Sequence, residues 1–163
     1  MQEKFTNEMF MLKALSLAKK AALEDEVPVG AVVVYKNRII SCGKNRREYG
    51  KNALFHAELE AIYKACKYLN RWRLFDCDLY VTLEPCPMCA GAIINSRIDR
   101  VYFGAYDKKA GACGTMINLF DKGLNHNPEI IGGVLENECA KELSDFFLKL
   151  RLRLKNKKRE AEV

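Results

Sequence analysis

Two short motifs limit most strongly how this chain can fold: His56-Ala57-Glu58 and, well downstream, Pro85-Cys86-Pro87-Met88-Cys89. Cys86 and Cys89 are three apart, so on a helical turn their sulfurs lie on neighbouring faces and can grip one ion. His56 becomes a third donor only if a second element carries it to the same place. A Cys-x-x-Cys pair alone also fits a redox site, but thioredoxin-like sites are arranged differently and would leave His56 and Glu58 idle. Three protein ligands leave one tetrahedral position open, the arrangement of a catalytic zinc. A closed structural site would need Cys77, Cys113 or His126 as a fourth ligand, and spacing alone leaves that alternative standing.

The surrounding pattern puts both motifs at helix beginnings. Apolar residues at Met9, Phe10, Leu12, Leu15, Leu17, Ala18 and Ala22 predict a helix over 6–25, with Thr6 or Asn7 as N-cap. Val29 to Tyr35 and Arg38 to Gly43 read as a hairpin turning at Lys36-Asn37. Lys44 to Asn52 is polar and reads as a loop. A second helix is expected over 53–69 from Leu59, Ile62, Tyr63, Cys66 and Leu69, with His56 and Glu58 in its first turn. Asp78 to Leu83 is a strand, Pro85 opens a helix through Met88 to Asn95, and Arg100 to Ala105 is a fourth strand. A short helix over 115–120, a fifth strand over 130–135 and a last helix over 137–155 complete the pattern. In that last helix Leu143, Phe146, Phe147 and Leu150 are expected on the buried side. Helices alternating with strands predict an α/β chain with a mixed sheet between helical layers, three layers in all; strand order is not readable.

Residues 1–163 show no internal repeat or linker, which predicts one domain with a basic helical tail over 149–163. The first thirty residues hold no signal-type apolar run, and no segment nears the roughly 18 apolar residues of a membrane span. A cytoplasmic protein with no membrane partner is the expectation. The seven cysteines are odd in number and scattered, so reduced thiols and metal ligation are expected rather than disulfides. Cys42, Cys66 and Cys139 read as small buried hydrophobes. The net charge of +6 resides mostly in the tail, where seven basic side chains stand against Glu160 and Glu162. Lys44, Arg46, Arg47, Lys51, Arg71, Arg73, Lys108 and Lys109 are further candidates to meet phosphates, each equally readable as solvated surface.

With water in the open zinc position, Glu58 is placed as a proton carrier, taking a proton from water and delivering it to a ring nitrogen and a departing amine. At these residues the chain resembles the cytidine deaminase superfamily, and more widely the bacterial tRNA-specific adenosine deaminases. The similarity runs from Glu26-Val27-Pro28-Val29-Gly30-Ala31 through Asn45-Arg46, Leu79-Tyr80-Val81-Thr82-Leu83-Glu84-Pro85-Cys86, Met88-Cys89-Ala90-Gly91-Ala92, Ser96-Arg97-Ile98 and Phe103-Gly104-Ala105 to Ser144-Asp145-Phe146-Phe147. It implies a three-layer α/β/α cytidine deaminase-like fold with a mixed five-stranded sheet. His56, Cys86 and Cys89 would bind one Zn2+ per subunit, Glu58 would be the catalytic acid/base, and Asn45, Ala57 and Asp107 would meet substrate. The substrate it implies is adenosine at the wobble position of a tRNA anticodon, converted to inosine by a homodimer. Tyr106 stands where the family carries Arg, and the loop around Asp121-Lys122-Gly123 is shorter. A free-base deaminase acting on guanine, and a noncatalytic zinc-stabilised RNA-binding module, are the rival readings.

Overall fold

Valine-rich β1 (Gly30–Tyr35) turns through Lys36 and Asn37 into antiparallel β2 (Arg38–Lys44). Both turn residues have positive φ, 47° and 61°, the backbone a two-residue hairpin requires. β1 also pairs antiparallel with β3 (Cys77–Leu83), which runs parallel to β4 (Arg100–Ala105), itself parallel to β5 (Glu129–Ile131). The five-stranded sheet thus has the order β2-β1-β3-β4-β5 and is mixed, as expected. The computed structural model describes residues 2–161, with side chains from Asn7 onward.

Alternation along the strands sends side chains to two cores. Ala31, Val33, Leu79, Val81, Val101 and Phe103 meet α3 (Ala57–Leu69) and α4 (Pro87–Ser96) on one face. Val32, Val34, Tyr80 and Tyr102 meet α1 (Gln2–Leu23) and α5 (Glu136–Ala161) on the other. Tyr80 and Tyr102 stack at 4.5 Å, and the Tyr80 hydroxyl donates to Asn7 Oδ1 at 2.7 Å. Asn7 is therefore inside α1 and tied to the sheet, not a cap; Thr6 also falls within the helix, its side chain outside the described residues.

Several expected details differ. α1 packs through Phe10, Met11, Ala14, Leu15, Ala18 and Ala21, while Met9 and Leu12 face solvent. α3 begins at Ala57 rather than 53, because Asn52 takes the amides of Leu54 and Phe55 in a turn. A short α2 (Arg47–Gly50) lies in the stretch read as loop. Pro85 precedes α4, whose N1 residue is Pro87. Residues 115–120 are not helical; Cys113 bridges to Asn118 instead. β5 stops at Ile131, before Gly132 and the positive-φ Gly133. On α5, Phe146 is buried but Phe147 is 39% exposed. Of the three cysteines read as buried hydrophobes, Cys139 is buried and Cys42 and Cys66 are half-buried.

α3 approaches β2 at a glycine. A Cβ on Gly43 would stand 2.1 Å from the Ala57 carbonyl oxygen and 2.8 Å from the Ala61 nitrogen, both backbone atoms. Gly43→Ala is therefore expected to lower stability by about 2–3 kcal/mol, seen as a lower urea midpoint with unchanged slope. Because the pressed carbonyl sits beside His56 and Glu58, activity should fall even in the folded fraction.

Candidate active site

His56 and Cys86 hold equivalent places: each is the N-cap of its helix, with extended backbone at φ −81°, ψ 151° and φ −74°, ψ 171°. An N-cap side chain ordinarily accepts from a first-turn amide. Neither does so here, and both face one another across the gap between α3 and α4. The sequence put His56 within the first turn, where two positions of helix would splay it about 200° from Glu58. As an extended cap it escapes that restriction, and Glu58 remains in the first turn behind it.

His56 Nδ1 lies 3.7 Å from Cys86 Sγ and 3.5 Å from Cys89 Sγ. A tetrahedral zinc with bonds of about 2.3 Å to sulfur and about 2.0 Å to nitrogen holds such donors about 3.5 Å apart. The donor set and its spacing therefore fit that ion. Among the described residues, the cluster of ligand atoms mutually within 4.8 Å comprises these three. His126 instead bonds the Ile98 carbonyl, and neither Cys77 nor Cys113 joins as a fourth ligand.

The two thiols differ in proton affinity. A hydrogen bond from Cys89, aided by one with His56, holds the Cys86 thiol down at about 4 against the cost of burial. The same bond, with burial, pushes the Cys89 thiol far up, and contact with Cys86 raises the His56 imidazole. The pair keeps one proton between two sulfurs, which a divalent cation can replace. Glu58 is buried beside Cys89, and desolvation raises its carboxyl to about 7. A group balanced near neutrality can both accept and return a proton.

The cluster forms the floor of a cavity of about 110 Å³. Asn45 and Arg47 line one side, Leu83, Glu84 and Asp107 the other, with Ala57 and Glu58 at the base. Asn45, Ala57 and Asp107, far apart in sequence, are thus brought together. Asn45 is also part of the wall: its Nδ2 donates to the Val27 carbonyl and its Oδ1 accepts from the Arg47 amide, both at 3.2 Å. Asp107 Oδ1 accepts from the Lys109 and Ala110 amides at 2.9 and 3.1 Å, closing its own turn. Tyr106 leans away, edge-on to Phe103 at 5.0 Å.

Two buried carboxylates beside the cavity were missed in the sequence. Glu26 and Glu84 are each 1% exposed, and both accept backbone amides. Their sequence signal was that both stand in the stretches resembling the family, Glu26 immediately before the cavity-lining Val27 and Glu84 immediately before Pro85. The basic candidates scatter. Lys44 pairs with Glu24, and Arg46 pairs with Glu60 at 3.2 Å and lies over Phe55. Arg71 and Arg73 sit at the opposite end of the sheet, over Tyr35 and Trp72.

Comparison with known proteins agrees with this geometry. The MafB19-like deaminase family matches residues 5–151. The chain is 49% identical over 150 residues to the tRNA-specific adenosine deaminase of Bacillus subtilis strain 168, covering 91% of this chain and 93% of that one. A solved structure from studies of A-to-I editing by tRNA:A34 deaminases superposes with a TM-score of 0.81 at 43% identity, covering 83% of this chain and 99% of that one. Bacillus subtilis guanine deaminase is more distant in shape, with a TM-score of 0.58 at 40% identity over 61% of this chain and 64% of that one. Helix caps that turn away from their own amides toward one another, and a buried carboxyl beside them, are thus set in a chain that belongs to the tRNA-specific adenosine deaminases of the MafB19-like deaminase family.

Proposed function

We propose that this chain deaminates adenosine at the wobble position of a tRNA anticodon, giving inosine and ammonia, as a cytoplasmic, zinc-containing homodimer whose 163 residues form one domain. The observation that carries the reading is Glu58, a buried carboxyl held near neutrality beside three metal donors at the base of a cavity. Likeness to the Bacillus subtilis tRNA-specific adenosine deaminase supports the choice of substrate.

His56, Cys86 and Cys89 would hold zinc, which would make a bound water acidic enough to lose a proton near neutral pH. Glu58 takes that proton and passes it to the ring nitrogen next to the reacting carbon. The carbon–oxygen bond forms as the ring accepts the proton. Glu58 then takes the remaining proton from the newly attached hydroxyl and delivers it to the amine; the carbonyl forms as the carbon–nitrogen bond breaks and ammonia departs. One carboxyl suffices, because the amine leaves the carbon that water attacked. Ala57, Asn45 and Asp107 bound the space where the base sits. A cavity of 110 Å³ admits a base turned out of its stack, and an anticodon loop presents its bases unpaired, which lowers the unstacking cost. The basic second half of α5 adds sequence-independent attraction for phosphates.

An anticodon stem-loop with wobble adenosine should yield inosine, while free adenosine, cytidine, cytosine and guanine should not react. Turnover of guanine with none of the stem-loop would overturn the substrate assignment. The dimer has a candidate face in the apolar groove of about 360 Å³ formed by Leu54, Phe55, Leu59 and Tyr63. Leu54 and Tyr63 are more than half exposed there. Leu54→Glu with Tyr63→Glu should shift the sedimenting species to half the mass; an unshifted wild-type-like dimer would place the interface elsewhere.

A further inference from the structure

Neither Glu26 nor Glu84 has a part in the proton transfers above, yet both are nearly sealed from solvent and neither has a cationic partner among the ion pairs of the described residues. An ionised carboxylate persists in such a place when hydrogen-bond donors surround it. For both residues the donors come from the loops that wall the cavity. Glu26 Oε1 accepts from the Tyr49 amide at 2.7 Å and Oε2 from the Glu48 amide at 3.1 Å. This holds the start of α2, directly after Asn45 and Arg47. Glu84 Oε2 accepts from the Asp107 amide at 3.0 Å and from the Thr115 hydroxyl at 2.5 Å. Its Oε1 accepts from the Cys113 and Thr115 amides at 3.0 and 3.2 Å. One side chain thus gathers both ends of the 107–115 loop.

The fit around Glu84 is close from the loop side too. A Cβ on Gly111 would lie 2.4 Å from Glu84 Oε2 and 2.6 Å from the Asp107 carbonyl oxygen. The loop has room for the carboxylate only because that position is glycine.

We propose that Glu26 and Glu84 are paired positioning residues, each a buried anionic clamp on one wall of the cavity, and that together they set the separation of the Asn45–Arg47 and Asp107 walls into which the nucleoside of a structured RNA fits. They act on substrate binding through the backbone, while His56, Glu58, Cys86 and Cys89 are carried by the starts of α3 and α4; the bond from the Ala112 amide to the Pro85 carbonyl, which neither substitution removes, is the loop's link to that floor. The proposal rests on RNA being the substrate, and its consequences divide accordingly.

The test uses the full-length, zinc-loaded protein with an anticodon stem-loop. In Glu84→Gln an amide NH2 faces donors that formerly met an oxygen, so the loop loses part of its anchor. KM should rise about tenfold or more, the size expected for charge-assisted hydrogen bonds, with kcat changed by less than about threefold. Glu26→Gln should do the same from the opposite wall. Gly111→Ala, which alters no charge, should reproduce the Glu84→Gln effect. Glu84→Gln combined with Gly111→Ala should be no worse than the more impaired of the two alone, since both break the contact between Glu84 and the loop. Hydrogen exchange without RNA should show faster exchange at the Asp107, Cys113 and Thr115 amides in both Glu84→Gln and Gly111→Ala. A fall in kcat with unchanged KM, loss of zinc in step with loss of activity, or unaltered exchange at those three amides would overturn the clamp. If wild-type protein leaves the stem-loop untouched while the exchange result holds, the RNA reading fails and the clamp on the loop stands.

Discussion

Glu58→Gln is expected to lower deamination of the anticodon stem-loop by about a thousandfold or more while the protein keeps one zinc per chain. Glutamine fills the same volume and retains an acceptor, but it can neither take a proton from water nor return one to the amine. Folding should survive the change. Burial already raises the Glu58 carboxyl to about 7, so its charged form contributes a desolvation cost that the neutral amide relieves. Thermal unfolding should therefore occur no lower than in wild type. Retained turnover with full zinc content would remove Glu58 from the mechanism and return the chain to the noncatalytic alternative. A large loss of zinc would instead mean that the residue supports the metal.

Stripping the metal is the second large effect. Dialysis against a strong chelator should abolish inosine formation, and stoichiometric zinc should restore it. The apo protein should also unfold at a lower temperature, because a zinc on His56, Cys86 and Cys89 would join the starts of two helices whose caps make no bond to their own amides. Cys89→Ser should mimic this state. Cys89 is fully buried, and its hydroxyl replacement cannot become the anionic donor that zinc requires. Far-UV circular dichroism at a temperature below the transition, read with metal content, separates this from general unfolding: helix content should be largely kept while zinc is lost. Activity that persists after complete removal of metal would exclude the metal-assisted route.

Much of the fold was legible because the central strands are short β-branched and apolar runs, buried on both faces. Ala31 to Val34 and Leu79 to Val81 divide cleanly between the two cores. Helix faces were read less well. Large residues such as Leu12 and Tyr63 suggested the buried side, whereas the sheet accepts α1 and α3 through alanines, Ala14, Ala18, Ala57, Ala61 and Ala65. Alanine carries little periodic signal, and only close approach to Gly30 and Gly43 explains its use. The 115–120 segment read as a short helix, but the Gly114 amide bonds the Ile117 carbonyl and the Leu119 amide returns to Ala112, folding it back on Cys113 instead. That His56, Cys86 and Cys89 belong together was legible from residue type and spacing, and the structure gathers them within 4.8 Å. Glu26 and Glu84 were not legible, because an acidic residue near a turn resembles solvated surface until the loops that wrap it are known.

The parallel pair β3 and β4 ends with Leu83 opposite Ala105, so the segments toward Cys86 and Asp107 leave adjacent strands side by side. Beyond the strands they meet again, where Glu84 takes the Asp107, Cys113 and Thr115 amides and the Ala112 amide donates to the Pro85 carbonyl at 2.9 Å. The loop and the segment that carries Cys86 are therefore laced together rather than free to drift apart. Engineers who seek a new base would keep Glu84, Asp107 and Gly111 as the lacing and vary the residues between and beyond them.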